Sequence, residues 1–238
     1  MEKASIELFG YILMEPVTFL TDLFLTLFSL GLYNALRKSF PVSDYRKHYG
    51  KFFLFMAFCT FLGGVAHLLG HYLDHFYIHA VAWSFSAIGI YYMQKGSAYD
   101  YSLKVSTNLG YIFLFQVVVS VCCYIGFQLF GNYEVESDTV GTPGFTAVVV
   151  SSTIGFAGFI LPLHLIKYIK EKDNGAAIMI MAFVCSIITP IIQAKKWGLG
   201  IHFNHNDVAH MVLALCYYVY YLGMRTKIQQ YETTSENA

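Results

Sequence analysis

Runs of apolar residues long enough to cross a lipid bilayer recur through this sequence and constrain the fold more than any other feature. A helix that crosses the hydrocarbon core needs about 20 such residues. By that length the sequence predicts about seven spans, near residues 11–36, 52–72, 76–94, 108–130, 144–169, 175–193 and 207–224. Only 13% of the residues are charged, against about 25% in a soluble domain. We therefore predict an all-α integral membrane bundle in one domain over residues 1–225, with a polar tail over 226–238.

The basic residues of the loops predict how this bundle lies in its membrane. They concentrate in the first, third and fifth loops, as Arg37, Lys38, Arg46, Lys47 and Lys51, then Lys95 and Lys104, then Lys167, Lys170 and Lys172. The second loop has no Lys or Arg, the fourth is acidic, and only Lys195 and Lys196 in the sixth break the alternation. Because basic loops stay in the cytoplasm, the N-terminus is predicted outside and the C-terminus in the cytoplasm.

The charge balance indicates which partners to expect. The formal net charge is zero and no basic arm is present, which argues against nucleic acid and leaves membrane lipids as the expected partners. All five cysteines fall within apolar runs, without a CxxC pair, so they are predicted to be small core residues rather than disulfide or zinc ligands. Nothing in the sequence indicates an oligomeric state.

Two histidine-rich stretches border the second and last apolar runs. They read HLLGHYLDH, from His67 to His75, and HFNHNDVAH, from His202 to His210. The predicted orientation places both at the outer end of the bundle, together with Glu15. One outward-facing polar site is therefore predicted where the two stretches meet.

The spacing within these stretches suggests a metal site. His67 and His71 are four residues apart, so on a helix they share a face and can bind one zinc ion. Asp207 and His210 are three apart, a spacing that also allows chelation, and Asn206 or Asp207 is predicted to cap the last helix. The alternative is that Asp207 only caps that helix and His210 only forms hydrogen bonds inside the bundle.

Asp22 lies in the middle of the first span, where an ionised carboxylate costs about 3 kcal/mol or more. It is seven residues, or two helical turns, from Glu15, so both side chains face the same way. One interpretation is a protonated carboxyl bonded to Thr18, Thr21 or a tyrosine. The other is a role in proton transfer or substrate binding.

The arrangement resembles the CREST superfamily of seven-span membrane hydrolases, which includes the alkaline ceramidases and the adiponectin-receptor-like proteins. That pattern has Ser-x-x-x-His in the second span, an Asp near the third, and His-x-x-x-His in the seventh. Here the first element reads Gly63-Gly-Val-Ala-His67 and the last reads Asn206-Asp-Val-Ala-His210, so glycine replaces the serine and asparagine one histidine. The phrases EPVTFLTD, FLGGVAH and FNHNDVAH also resemble a family of uncharacterised multi-span proteins. The resemblance implies zinc held by His67 and His210.

Together these observations favour a zinc-dependent hydrolase acting on a lipid or lipid-like amide or ester. His67 and His210 are the predicted ligands, with Asp207 or His71 as the third. Asp74 is predicted to assist the attacking water, and Glu15 and Asp22 to line the cavity. The alternatives are a receptor or an ion or proton transporter that uses Asp22 and the histidines, a haem protein with two axial histidines, and a purely structural protein.

Overall fold

A computed structural model describes residues 4–39, 44–73, 75–130 and 143–236. The first half contains a strand pair, β1 (Ser5–Leu8) and β2 (Tyr11–Met14), and four long helices, α1 (Pro16–Ser39), α2 (Asp44–Leu68), α3 (His75–Tyr101) and α4 (Leu103–Phe130). The second half contains α5 (Pro143–Thr153), a π-helix (Ile154–Ile160), α6 (Leu161–Glu171), α7 (Asn174–Ser186), α8 (Ile188–Lys195) and α9 (His205–Glu236). The predicted all-α class is confirmed, with one small hairpin added.

Six helical segments of the described chain are long and apolar enough to cross a membrane. They are Pro16–Lys38, Asp44–Leu68, Leu103–Phe127, Phe145–Glu171, Asn174–Lys195 and His205–Gln230. The segment Phe145–Glu171 joins α5, the π-helix and α6 into one span. Helix α3 has 27 residues but is not one of the six. Its polar residues and tyrosines give it a lower mean hydropathy than the six segments have.

The chain before Pro16 differs from the prediction, which began the first span at residue 11. Residues 11–14 instead form β2, which pairs antiparallel with β1 in the register Leu8↔Tyr11. Phe9 and Gly10 form the turn and both have positive φ, as a two-residue hairpin loop of type I′ requires. Residues 11–14 are apolar, and so short an apolar run is compatible with a strand as well as with the first turn of a helix.

Helices α1 to α4 each pack against the next in the chain, and α7 and α8 pack against α9. Helix α1 lies between α2 and α9 and contacts both, while α2 and α9 also touch directly. Their aromatic side chains meet in the core, where the rings of Phe52 and Tyr217 are 5.9 Å apart. This order brings the end of α2 and the start of α9 to the same end of the bundle.

The last helix extends beyond the predicted span of 207–224. It continues to Glu236, across most of the segment 226–238 that we predicted as a polar tail. Lys227 and Ile228 are buried. Two carboxylates hold Lys227, those of Asp100 at 2.6 Å and Asp173 at 2.7 Å. A buried ammonium needs such partners, so this ionic contact explains why the helix stays packed past its apolar stretch.

Candidate functional site

Glu15 begins the site, at the point where the hairpin meets α1. Its φ is +41°, an uncommon conformation for a residue other than glycine. The next residue, Pro16, is the first of α1, a position that suits proline because the helix needs no amide hydrogen there. The Glu15 side chain is buried, and its Oε2 lies 3.0 Å from Nδ1 of His67 near the end of α2.

A second contact between a carboxylate and an imidazole lies deeper, between α1 and α9. Nε2 of His210 is 3.4 Å from Oδ1 of Asp22, and Nδ1 of the same ring is 2.9 Å from the hydroxyl oxygen of Thr21. Asp22 is only 4% exposed. A Cβ added to Gly64 of α2 would lie 2.9 Å from Cβ of Asp22. The missing side chain at Gly64 therefore lets α2 approach α1 at Asp22.

Reciprocal hydrogen bonds fix the start of α9. The side chain of Asn204 accepts from the amide of Asn206 at 2.7 Å, and Asp207 accepts from the amide of Asn204 at 2.7 Å. This is a capping box with Asn204 as the cap, so the predicted cap at Asn206 or Asp207 was wrong by two or three residues. Asp207 also accepts from the hydroxyl of Thr21 at 3.1 Å, which ties the cap to α1.

A cavity of about 170 Å³ lies between these helices. Its lining includes three of the predicted residues, Asp22, His67 and His210. His79 of α3 lies beside them, with its ring 5.1 Å from that of His67 and stacked on Trp83 at 5.6 Å.

Tyr217 of α9 and Gln193 of α8 are among the other polar residues that line this cavity. The Tyr217 hydroxyl and the Gln193 side-chain oxygen are buried, and neither has a hydrogen-bond partner in the described chain. Buried polar atoms normally find a partner in protein, water or ligand. The cavity is therefore suited to hold water or a polar group of a ligand.

The other predicted residues fall outside this lining, including Glu15, which we predicted to line the cavity and which instead holds His67. Asp207 is fully buried but acts on the cap and on Thr21 rather than on the cavity. His71 does not share a helix face with His67, because α2 ends at Leu68; it is exposed and its ring lies against Tyr72 at 4.8 Å. Asp74 lies outside the described residues.

Sequence reasoning missed several residues that shape the site. They are Asn204, Gln193, Tyr217 and His79. The cap had a signal, since Asn204 precedes Asp207 by the three residues of a capping box. The others had none, because the cavity that they line forms between different helices.

The donor atoms around the cavity are of the kind that zinc takes in proteins, imidazole nitrogen and carboxylate oxygen. Both histidines contact another side chain through Nδ1, His67 that of Glu15 and His210 that of Thr21, and zinc-binding imidazoles are usually held through their second nitrogen in this way. The 3.4 Å between His210 Nε2 and Asp22 Oδ1 is close to the roughly 3.3 Å between two zinc ligands at tetrahedral angles. As the side chains stand in the described chain, no three His, Cys, Asp or Glu residues are grouped to hold a metal ion.

These features define a class: a helical protein with the span pattern of a multi-pass membrane protein and a buried imidazole and carboxylate site at one end of its bundle. Residues 17–229 match DUF6962, a family of unknown function, and the chain belongs to that family. No curated protein matches the chain.

Proposed function

We propose that this protein is a zinc-dependent membrane hydrolase that acts on a lipid or lipid-like amide or ester. One observation carries the proposal: two imidazoles and one buried carboxylate line the same cavity, and each imidazole is held through Nδ1, His67 by Glu15 and His210 by Thr21. The resemblance to the CREST superfamily supports it at His67 and His210. Where that pattern has a further histidine this chain has Asn206, whose side chain accepts from Gln193 at 2.9 Å.

The proposed ligands are His67, His210 and Asp22, with Asp22 in place of the missing histidine. Glu15 and Thr21 act on the rings from behind, because each hydrogen bond to Nδ1 fixes the ring and leaves Nε2 for the ion. His67 must turn toward the other two ligands to complete the set. Zinc, when bound, supplies a hydroxide at neutral pH and polarises a carbonyl.

The size of the cavity indicates how much of a substrate enters it. Pockets for drug-sized ligands measure about 300–1,000 Å³, so about 170 Å³ admits a carbonyl group and water, while a lipid chain stays between the helices. The Tyr217 hydroxyl is the proposed donor to the carbonyl oxygen, because it is buried at the cavity without another partner in the described chain. Asp74 keeps its predicted role of assisting the water.

The proposal includes seven spans, with the site at the outer face. Helix α3, the third long helix of the chain, is the proposed additional span, because its 27 residues extend about 40 Å. It packs along both α2 and α4, and only Ser102 separates it from α4. It therefore carries the chain from the end of the bundle where His67 lies to the opposite end. The alternation of basic loops supports the outward orientation.

Metal analysis of the detergent-purified protein tests the proposal. We expect about one zinc per chain in the wild type, and loss of it in His67→Ala and in His210→Ala. His71→Ala is the matched control, since this exposed histidine lies outside the cavity, and it should keep its zinc. A wild-type protein without metal, or equal zinc in all four proteins, would overturn the assignment.

Proton or ion transfer is the second candidate, and a separate charged cluster favours it. Lys227 and Lys167 both contact Asp100, and Lys227 also contacts Asp173, at the end of the bundle opposite Asp22. Ionisable groups at both ends are a feature of transport paths. Uptake into proteoliposomes that is lost in Asp22→Asn would support it. A haem has less support, because a cavity of about 170 Å³ is too small for a porphyrin.

A further inference from the structure

A second cavity, of about 180 Å³, lies between α1 and α2 at the end away from the proposed active site. It is lined by Tyr33, Arg37, Arg46, Lys47, Gly50 and Lys51. Arg37 is 15 residues after Asp22, which places this cavity roughly 20 Å along the helix from the first. It is called the basic cavity below.

Close contact between the two helices gives the basic cavity its shape. A Cβ added to Gly50 would lie 3.4 Å from the Tyr33 ring, so glycine lets α2 approach α1 there. Arg46 is buried, and its guanidinium donates to the carbonyl oxygen of Arg37 at 3.0 Å. This bond satisfies a carbonyl in the last turn of α1 and holds the Arg46 cation in place.

The charge of the basic cavity is strongly one-sided. Four of the residues that line it are cationic, and none of the described residues that line it is acidic. The nearby Asp44 pairs with Lys47 at 2.9 Å, but both side chains are exposed to solvent, which weakens the pair. Lys51 lies over the Tyr92 ring at 4.7 Å, a contact that leaves its charge uncompensated. An anion in the cavity would balance the charge of Lys51.

The position of the basic cavity relative to the bilayer identifies the anion. One apolar span ends at Lys38 and the next begins at Asp44, so the cavity lies where hydrocarbon gives way to lipid headgroups. Arginine suits a phosphate because its planar guanidinium donates two parallel hydrogen bonds. Basic cavities between membrane helices at this depth bind phosphorylated headgroups.

We propose that the basic cavity binds the phosphate of an anionic membrane lipid. Arg37 and Lys51 donate to the phosphate from the exposed side, and Lys47 and the buried Arg46 add positive charge to the wall of the cavity. This site is independent of the metal cavity and of the proposed hydrolysis. If the bundle is oriented as proposed, it faces the cytoplasmic leaflet, where anionic lipids are abundant.

Native mass spectrometry of the full-length protein in detergent tests this proposal, with dioleoyl phosphatidic acid and dioleoyl phosphatidylcholine as probes. We expect phosphatidic acid to bind at least tenfold more tightly than phosphatidylcholine. Arg37→Gln/Lys51→Gln should lose about tenfold of that affinity, and both side chains are exposed, so the protein should still fold. Lys38→Gln/Lys104→Gln is the control, because it removes the same charge from exposed residues outside the lining.

The experiment has three outcomes that would contradict the proposed lipid site. Equal losses in the two double variants would show a general charge effect and overturn the site. Equal binding of the two lipids would do the same. Adding inorganic phosphate at millimolar concentration distinguishes the source of the anion: if it displaces the lipid, the site serves a soluble phosphate and the lipid assignment is wrong.

Discussion

Substituting Gly64 by alanine tests the close approach of α1 and α2 at the proposed active site. The new Cβ would lie 2.9 Å from Cβ of Asp22 and 3.3 Å from Cδ2 of Phe19. Carbon atoms pack favourably at about 3.5–4.0 Å, so α1 must move away by several tenths of an ångström. That movement displaces Asp22 from His210, its neighbour across the cavity.

The magnitude follows from two opposing effects. Overpacking a close helix contact costs about 1–3 kcal/mol, while alanine gains up to about 1 kcal/mol over glycine in helix propensity. The net loss for Gly64→Ala lies in the upper part of that difference, about 1–2 kcal/mol, because the new contact is with a Cβ atom, which moves only with its helix. For a chain of this length that corresponds to a drop of about 2–8 °C in the unfolding temperature, with bound zinc reduced.

Gly63→Ala is the matched control, one residue away on the same helix. Its Cβ would meet only Oδ2 of Asp22, at 3.8 Å, an ordinary contact. Thermal unfolding in detergent, followed by tryptophan fluorescence, should therefore show Gly63→Ala at or above the wild-type temperature. If both variants fall equally, or if Gly64→Ala matches the wild type, the close approach at Asp22 is refuted.

Three further predictions concern other groups. Tyr217→Phe should retain zinc but lower kcat on a lipid amide or ester about 10²-fold, the usual loss when one donor to an oxyanion is removed; unchanged kcat would exclude the hydroxyl as that donor. Lys227→Met should destabilise the protein by about 3–5 kcal/mol, because it breaks a buried ionic contact and leaves carboxylates without their partner; chemical denaturation measures this, and a neutral result would contradict it. Burial alone would raise the pKa of Asp173, but its hydrogen bonds from Lys227 and from the Ala176 amide lower that pKa below its ordinary value. This contribution to stability is present above the ordinary carboxyl pKa of about 3.9 and is lost as the pH falls through the lowered value. Asp173→Asn should therefore be less stable at neutral pH and flatten the pH dependence of the unfolding temperature below about pH 4, and an unchanged pH profile would contradict this.

The sequence predicted the helical class, because apolar length is a local property. It could not show that the second and last helices are neighbours, on which the meeting of the two histidine stretches depends. It also brought Asp22 to notice through the cost of a charge in an apolar run. His67, His210 and Asp22 do line one cavity.

The sequence could not predict which atoms pair across helices. Thr21 contacts both Asp207 and His210, more than 180 positions along the chain, and no local pattern encodes such contacts. The role of His71 was overestimated for a related reason: the i, i+4 rule holds only while the helix continues, and α2 ends at Leu68. No sequence pattern distinguished Tyr217 and Gln193 from the other polar residues of the apolar helices.

X-ray absorption at the zinc edge, recorded on the purified wild-type protein, tests the central proposal most directly. We predict a four-coordinate spectrum with two imidazole nitrogens and one carboxylate oxygen at about 2.0–2.2 Å, and an oxygen from water in the fourth position. In Asp22→Asn the carboxylate contribution should disappear while both imidazoles remain. A spectrum with sulfur ligands, with one imidazole or none, or with no change in Asp22→Asn would contradict the proposed site.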